Sequence, residues 1–427
     1  MSANNLIAFQ PSISEQALFE EFIVNKAIIM LRRFNGPKAR ELYLCCRPSG
    51  GNDSAEVQAK NIYSGIREVL KAEGVGLEAL TSETIFFRDI ESDITPVRHA
   101  IQEIIDDDGG QEFKPARTEI QQPPLDRHAN VEIAIQAIIP AATELRTQQV
   151  CAKSGCQCGE CDTCTGLRLE IGDKTFLMAG GLCGDGPDAY TQTHSMFALA
   201  ETLLHEAGME FSDVMRTWIY LRHMERDYPE LNRARREFFE SRGINPVPAS
   251  TGIEGGMVND QHDLCIGFYA VKSVKPLSRT VMTSATLNEA GEYGADFVRG
   301  MRVEEDNKVA LHVSGTASID EQGRTAHIGD AAAQIDRMIL NIRELLANQG
   351  ADFNDIVYAY NYLKDPSDEA LLRDKFREAG LEGFPSVFVN VEVCRPDLLC
   401  ETEVLAILPP NAETGGEGHL RIARPVA

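Results

Sequence analysis

A dense group of cysteines is the clearest chemical feature of the chain. Residues 151–164 read CAKSGCQCGECDTC, so the group consists of Cys151, Cys156, Cys158, Cys161 and Cys164. Thiolates bind Zn²⁺ tetrahedrally or hold iron–sulfur clusters, and such density in a protein expected in the cytoplasm favours metal over disulfides. The C-x4-C-x2-C spacing that begins at Cys156 is typical of a plant-type 2Fe–2S loop, whereas the overlapping CxxC pairs suit zinc equally well.

We therefore predict a metal centre, either a 2Fe–2S cluster or Zn, at this segment. Its fourth ligand is left open between Cys151, Cys158 and Cys183. The alternative is a redox-labile loop without metal.

Three stretches of the chain keep the same internal spacing. Each is a helix-like run that starts at a glutamine, has a glycine sixteen positions later, and reaches the end of an apolar run fifteen positions after that. The glutamines are Gln58, Gln192 and Gln334, the glycines Gly74, Gly208 and Gly350, and the last positions Asp89, His223 and Asp365. Spacing kept over three copies indicates an internal repeat. The glycines suit the left-handed conformation that ends a helix.

Each copy predicts the element order β-β-α-β-α-β-β, so the fold class is α+β. One such sheet carries helices on one face and must bury its other, apolar face, which two further copies in the same chain allow. We expect unit 1 at 1–142, unit 2 at 143–275 with the cysteine-rich segment, unit 3 at 280–410, linkers near 141–150 and 275–285, and a polar tail at 411–427.

Composition argues against two classes of partner. The 427 residues carry a net charge of −24, which repels phosphate backbones, so nucleic acid is not expected. No apolar run approaches the roughly 18 residues of a membrane helix, and the N-terminus lacks a basic region followed by an apolar block. We expect a cytoplasmic protein with no membrane or nucleic-acid partner.

With these elements in place, the chain resembles the Rid family (also called YjgF-like), small proteins that assemble as trimers. Unit 3 is nearest, through VSGTASIDEQGRTAHIGD and QIDRMILNIRELLANQGADFNDIVYAYNYLKD; unit 2 is similar through AGG, DYPELNRARREFF and PAST, and unit 1 through FFRDI and KPAR. The resemblance implies three tandem Rid-like, chorismate-mutase-like domains that form an intramolecular pseudo-trimer. Its sheets would form an inner barrel with pockets at the joints, and further homo-oligomerisation is left open.

The same resemblance implies a hydrolase that deaminates an imine or enamine of a small carboxylate-bearing metabolite. Family members that hydrolyse 2-imino acids use the arginine of a PxR strand opening, and a planar guanidinium can hold a carboxylate with two parallel hydrogen bonds. This arginine occurs once, as Arg117, and the matching positions are Ser250 and Val387.

The other family features are scattered over the copies. Asn232 stands in the second helix of unit 2, and Ser314 precedes Gly315 in unit 3. The acidic residue of the family's closing strand aligns with Gln136, Tyr269 and Leu405, and Glu401 and Glu403 lie nearby at offset positions, on one face of the last strand. The predicted catalytic residues are Arg117, Asn232, Ser314 and Glu403. They are expected either to build one composite pocket or to mark the loss of catalysis, with Arg117 in an ion pair.

A second resemblance concerns chorismatases, which are also built from Rid-like units in one chain. The segment RTWIYLRHMERDYPELNRARREFFESRG followed by PASTGI is similar to their later domain. It implies a site for a dicarboxylate at Arg216, Tyr220, Arg233 and Arg236, with the positive charge supplied by the arginines. A chorismatase-like enzyme is therefore one alternative, and a non-catalytic metal- or redox-sensing module that binds a metabolite or a protein is another.

Overall fold

A computed structural model describes residues 19–109, 114–141, 145–152, 165–293, 296–410 and 412. Three six-stranded sheets follow one another along the chain, and each carries two α-helices. The predicted α+β class and the three tandem units are confirmed.

Unit 1 begins with three antiparallel strands. Its elements are β1 Phe19–Val24, β2 Ala27–Asn35, β3 Ala39–Pro48, α1 Ala55–Ala72, β4 Leu80–Phe87, α2 Ile90–Asp107, β5 Ala116–Gln121 and β6 Val131–Pro140. The strands lie in the order β1-β2-β3-β6-β4-β5, and only β4 and β5 pair in parallel.

Unit 2 repeats this plan. Its elements are β7 Arg146–Cys151, β8 Thr165–Ile171, β9 Lys174–Cys183, α3 Ala189–Glu206, β10 Val214–Leu221, α4 Met224–Arg242, β11 Ala249–Glu254 and β12 Leu264–Ser273. The strand order, β11-β10-β12-β9-β8-β7, is that of unit 1 counted from the other edge.

Unit 3 has the same order of elements. They are β13 Ser278–Val281, β14 Gly300–Glu304, β15 Val309–Ala317, α5 Ala331–Ala347, β16 Ile356–Leu363, α6 Glu369–Ala379, β17 Ser386–Asn390 and β18 Cys400–Leu408. Its strand order is β13-β14-β15-β18-β16-β17.

Each unit has one strand more than the sequence predicted. The additional strands are β1, β7 and β13, and each forms the outer edge of its sheet by pairing with the next strand along the chain. The segments expected as linkers near 141–150 and 275–285 therefore contain β7 and β13. Short edge strands such as SRTV have too few residues for their alternation to stand out.

The repeated glutamines join the first helix of each unit to the turn before its closing strand. Gln58 Nε2 donates to the carbonyl of His128 (2.7 Å), and Gln58 Oε1 accepts from the backbone of Asn130 (2.7 Å). Gln192 makes the same pair of bonds to the backbone of Gln261 and Asp263, and Gln334 makes them to Asp397 and Leu399. All three glutamines are buried, so their amides need these partners.

The helices end as predicted at three glycines in the left-handed region. Gly74, Gly208 and Gly350 have φ of 83°, 74° and 74°. A side chain at these positions would be strained, which explains why glycine recurs at this spacing.

The three units close into a ring through three joints. At the first joint β4 and β5 pack on β8 and β9; at the second, β10 and β11 pack on β14 and β15; at the third, β16 packs on β2 and β3. Backbone hydrogen bonds tie each pair of units: Gln121 with Gly256, Glu254 with Glu392, and Asn390 with Pro123. The predicted intramolecular pseudo-trimer is confirmed.

The helices cover the outer face of each sheet, and the inner faces meet at the centre. One hydrophobic cluster contains Ile120, Ile253 and Val387, which come from three different units. Among the residues that the structure describes, no helix has the length and apolarity needed to cross a membrane.

Candidate functional site

Arg117 lies at the first joint, but its side chain takes part in an ion pair inside unit 1. Arg117 Nε donates to Glu83 on β4, and Tyr63 on α1 donates to the same carboxylate. Glu119 Oε1 lies 3.9 Å from Arg117 Nη1. Burial lowers the pKa of Arg117, but the charge of Glu83 and those of two further neighbours outweigh it and raise the pKa overall. The contact of Arg117 with a substrate carboxylate stays a prediction.

The backbone of β5 approaches unit 2 closely at the first joint. A Cβ atom at Gly180 of β9 would lie 2.6 Å from the carbonyl oxygen of Arg117. A side chain at Gly180 would therefore collide with β5, whereas unit 3 has Ser314 at the equivalent position.

Ser314 lies at the second joint, where it links units 2 and 3. Its Oγ donates to the carbonyl of Val298 (2.6 Å) and accepts from the backbone N–H of Ser250 (2.9 Å). Next to it, the N–H of Gly315 donates to Thr251 Oγ1 at 2.9 Å. Ser314 therefore positions the two backbones of the joint.

Glu403 stands on β18 and is bound by two side chains of β10. Arg216 Nη2 donates to Glu403 Oε2 at 2.9 Å, and Trp218 Nε1 donates to Glu403 Oε1 at 2.7 Å. Arg216 also donates to Thr251, and its guanidinium lies 5.1 Å from the centre of the Trp218 ring. Arg216 and Glu403 are buried, so the pair crosses from unit 2 to unit 3 out of contact with solvent.

Glu401 lies two residues earlier on the same face of β18 and is also buried. Burial raises its pKa to about 8, the negative charge of Glu403 adds to the rise, and Arg299 and Arg216 oppose it. A Cβ atom at Gly315 would overlap Glu401 Oε1, so the glycine lets this carboxyl group reach the backbone of the joint. At neutral pH Glu401 is a protonated acid beside a charged pair.

Two buried polar atoms beside these carboxyl groups have no hydrogen-bond partner among the described residues. They are Arg216 Nη1 and the hydroxyl oxygen of Tyr362, whose residues are 2% and 0% exposed. Tyr362 pairs with Glu401 across the sheet. Because buried polar groups are nearly always bonded, these atoms indicate a place for a ligand or water.

Asn232 lies on α4 near the outer side of the second joint. Its Oδ1 accepts from Arg235 Nη2 at 2.6 Å, and its Nδ2 donates to the carbonyl of Tyr228. Arg235 and Arg299 both place their guanidinium groups within 6 Å of the Phe297 ring centre, at 5.7 and 5.5 Å. The structure thus brings Ser314 and Glu403 together at the second joint, with Asn232 near its edge, and leaves Arg117 at the first.

The third joint has a counterpart of Glu401 but not of Glu403. Glu132 on β6 pairs with Phe86, as Glu401 pairs with Tyr362, and burial raises its pKa to about 8 against the charges of Arg47 and Arg373. The position two residues later holds Ala134.

A cavity of about 90 Å³ lies where the three sheets meet. Its wall includes Trp218 of unit 2, Tyr43 of unit 1, and His312 and Tyr360 of unit 3. His312 Nε2 is buried without a partner among the described residues. Burial lowers the pKa of His312 to about 3, and the charges of Arg216 and Lys308 act in the same direction, so its ring is neutral. Trp218 connects this cavity with Glu403.

The predicted metal centre falls largely outside the described residues. Cys156, Cys158, Cys161 and Cys164 lie in 153–164, which the structure does not describe, and Cys151 is the last residue of β7, opposite Thr165 of β8. The described residues contain no group of three potential metal ligands. The metal centre therefore stays a prediction.

Sequence reasoning missed part of the second joint. No functional role was predicted for Trp218, yet its indole N–H donates a hydrogen bond to Glu403. Thr251 and Arg299 were not singled out. Alternation along β10, which puts Arg216, Trp218 and Tyr220 on one face, was the available signal. Of the arginines expected to attract a dicarboxylate, Arg233 pairs with Glu230 on the surface.

The fold and its joints define a tandem protein of Rid-like domains. A family model described as endoribonuclease L-PSP matches the chain three times, over residues 47–139, 173–272 and 273–408. The matched segments cover more than half of the chain, which therefore belongs to this family.

Three relatives illustrate the similarity. The chain is 31% identical over 97 residues to a 3-aminoacrylate deaminase RutC of Acinetobacter baylyi, a match that covers 22% of this chain and 77% of the relative. It is 27% identical over 308 residues to a 3-hydroxybenzoate synthase of Streptomyces hygroscopicus, covering 66% and 87%. A chorismatase crystal structure superimposes with a TM-score of 0.56 at 16% identity, over 77% of this chain and 93% of that one, which shows a shared fold.

Proposed function

We propose that this protein is a hydrolase for a small carboxylate-bearing metabolite and that its active site is the second joint. The observation that carries the proposal is the buried carboxyl group of Glu401 beside the buried pair of Arg216 and Glu403, with Arg216 Nη1 left without a partner among the described residues. A carboxylic acid that burial keeps protonated at neutral pH commonly acts as a general acid in catalysis.

Substrate binding would use the unpartnered donor of the site. Arg216 Nη1 is buried without a partner among the described residues, whereas Nη2 is engaged by Glu403 and Thr251. A substrate carboxylate that accepts from Nη1 would satisfy this group and keep the guanidinium in place.

Glu401 would then supply the proton. Its protonated carboxyl group would donate to the double bond of an enamine, an imine or an enol ether, and water would add to the carbon that becomes electron-poor. Glu403 would stabilise the positive charge that develops on the protonated substrate. The added water would return one proton to the Glu401 carboxylate, its hydroxyl proton would move to the nitrogen or ether oxygen, and the amine or alcohol would leave as a carbonyl group forms. Proton transfer by a positioned acid contributes about 100- to 10,000-fold to rate.

The relatives favour two substrate classes. A 3-aminoacrylate deaminase acts on an enamine of a carboxylic acid and supports the deaminase prediction. The similarity to the 3-hydroxybenzoate synthase is longer, covering 66% of this chain, and it supports the chorismatase-like alternative. Both classes need a bound carboxylate and a proton donor, which is why one site serves either proposal.

The test is a comparison of two buried glutamates. Purified protein is assayed with chorismate for pyruvate release and with freshly generated enamine and imino acids for ammonia release. We expect Glu401→Gln to lower kcat/KM by about 100-fold or more, because the acid is lost. The matched control Glu132→Gln, at the corresponding position of the third joint, should leave kcat/KM nearly unchanged. Equal losses in both variants would contradict the assignment of the second joint.

If neither assay shows turnover while calorimetry detects binding of a carboxylate, the non-catalytic sensing module becomes the better account. The metal centre at Cys151, Cys156, Cys158, Cys161 and Cys164 is a separate proposal that rests on their spacing. Brown protein after anaerobic purification would support a 2Fe–2S cluster, whereas colourless protein with about one zinc per chain would support a structural zinc site.

A further inference from the structure

Two cysteines of unit 2 face each other across neighbouring strands at the first joint. Cys183 of β9 is the register partner of Cys265 of β12. Directly opposed residues of an antiparallel pair project from the same face of the sheet, so the two thiols are neighbours.

The hydrogen-bond pattern shows which kind of pair this is. The N–H of Gly184 donates to the carbonyl of Leu264, one residue beyond the Cys183–Cys265 pair on each strand. Hydrogen-bonded and non-hydrogen-bonded pairs alternate, so Cys183 and Cys265 form a non-hydrogen-bonded pair. Such pairs have Cα atoms about 4.5 Å apart, which lies within the range of about 4.4–6.8 Å that a disulfide spans.

The two thiols differ in access. Cys265 is 1% exposed, whereas Cys183 is only partly buried. One sulfur can therefore be attacked from solvent while the other lies behind it.

No other described cysteine has this arrangement along the central strands. Cys45 faces Met30 and Ala134, Cys46 faces Ile29 and Ile133, and Cys400 faces Leu363. The positions equivalent to Cys265 in units 1 and 3 are Glu132 and Glu401, which face Phe86 and Tyr362 where Cys265 faces Tyr220. Unit 2 has a thiol where the other two units have an acid.

We propose that Cys183 and Cys265 are a redox-modification site at which a hydroperoxide converts the pair into a disulfide. The Cys183 thiolate attacks one peroxide oxygen, the O–O bond breaks, and hydroxide or alkoxide leaves; the sulfur is oxidised to a sulfenic acid and the peroxide is reduced. Cys265 then loses its proton to the departing hydroxyl group, its sulfur bonds to Cys183, and water leaves. This site goes beyond the proposed function, because it lies at the first joint and uses no residue of the second.

Peptide mapping of the full chain tests the proposal. The protein is treated with hydrogen peroxide, remaining thiols are alkylated, and the digest is analysed by mass spectrometry with and without dithiothreitol. We expect a reducible peptide pair joined through Cys183 and Cys265, lighter by the two hydrogens lost, at a level at least about tenfold above untreated protein.

Variants separate this site from general oxidation. Cys183→Ser should abolish the linked pair and leave Cys265 unoxidised, because the buried thiol no longer has a partner. Cys46→Ala, which removes an equally buried thiol that faces no cysteine, should leave the linked pair intact. The proposal is overturned if the wild-type protein shows Cys183 unmodified, oxidised to a sulfinic acid without Cys265, or joined to a cysteine of residues 151–164.

Discussion

The first and second joints use the same strands and the same positions, but they hold different chemistry. At the second joint, Ser250 and Ser314 tie the two backbones together, and Arg216 crosses to Glu403. At the first joint, the position of Ser250 is taken by Arg117, whose guanidinium stays within its own unit.

The difference shows that duplication within one chain allows the residues at each joint to change independently. In a trimer of identical subunits every joint must carry the same residues, whereas a pseudo-trimer can change them one at a time. Glu401 at the second joint and Cys265 at the first stand at equivalent positions, one with a carboxyl group and the other with a thiol. Ring closure itself depends on backbone hydrogen bonds, which tolerate such changes.

Arg216→Met should have the largest effect and would sharpen the contrast between the joints. It leaves Glu403 buried without its cation, which typically costs about 3–5 kcal/mol in the free energy of unfolding. It also removes the proposed carboxylate donor, so we expect kcat/KM to fall by about 100-fold or more. Urea unfolding and steady-state kinetics measure the two effects separately. Full activity in this variant would place the active site elsewhere.

Arg117→Met should destabilise the protein without affecting catalysis. It leaves Glu83 buried beside Tyr63, and we expect a loss of about 3–5 kcal/mol in the free energy of unfolding. Because the ion pair belongs to unit 1, kcat/KM of the folded fraction should stay within about threefold of wild type. A large loss of kcat/KM at unchanged stability would instead support the family-derived role of Arg117 in substrate binding.

The pH dependence of the rate should reveal Glu401. Its pKa is raised to about 8, so the acid carries its proton below that pH and loses it above. We expect kcat/KM to be level below about pH 7 and to fall about tenfold per pH unit above pH 8. The residual activity of Glu401→Gln should lack this fall. A rate that rises through pH 8 would indicate a general base.

Gly180→Ala is expected to give the smallest effect and probes the backbone contact of the first joint. The added Cβ would meet the carbonyl of Arg117, and overpacking of this kind costs about 1–3 kcal/mol. Gly291→Ala is the matched control, since a Cβ there meets nothing within 4 Å. Thermal unfolding measures both. Equal stability of the two variants would mean that β5 and β9 can separate at little cost.

The sequence predicted the fold well because residues with the same structural role recur at the same spacing in each copy of the repeat. Gln58, Gln192 and Gln334 recur because each satisfies the same two backbone groups, and the glycines sixteen residues later recur because only glycine adopts their backbone conformation readily. The edge strands were missed because most of their side chains are exposed or half-buried, so they lack a clear alternation of apolar and polar residues.

The candidate site was predicted less completely. Ser314 was found through the family pattern and Glu403 as an acidic residue offset from the family's position, and the structure brings them to one joint. The importance of Arg216 and Trp218 depends on their hydrogen bonds to Glu403, which is far away in sequence and lies on another unit. The spacing of residues within one copy cannot show which joint holds such a pair. The metal centre at the cysteine-rich segment stays a prediction from sequence.

A crystal structure with a bound substrate-like carboxylate would test the central claim most directly. We expect the carboxylate at the second joint, within hydrogen-bond distance of Arg216 Nη1 and with Glu401 facing the atom that it would protonate. A ligand bound to Arg117 at the first joint, or bound only outside the joints, would contradict the account.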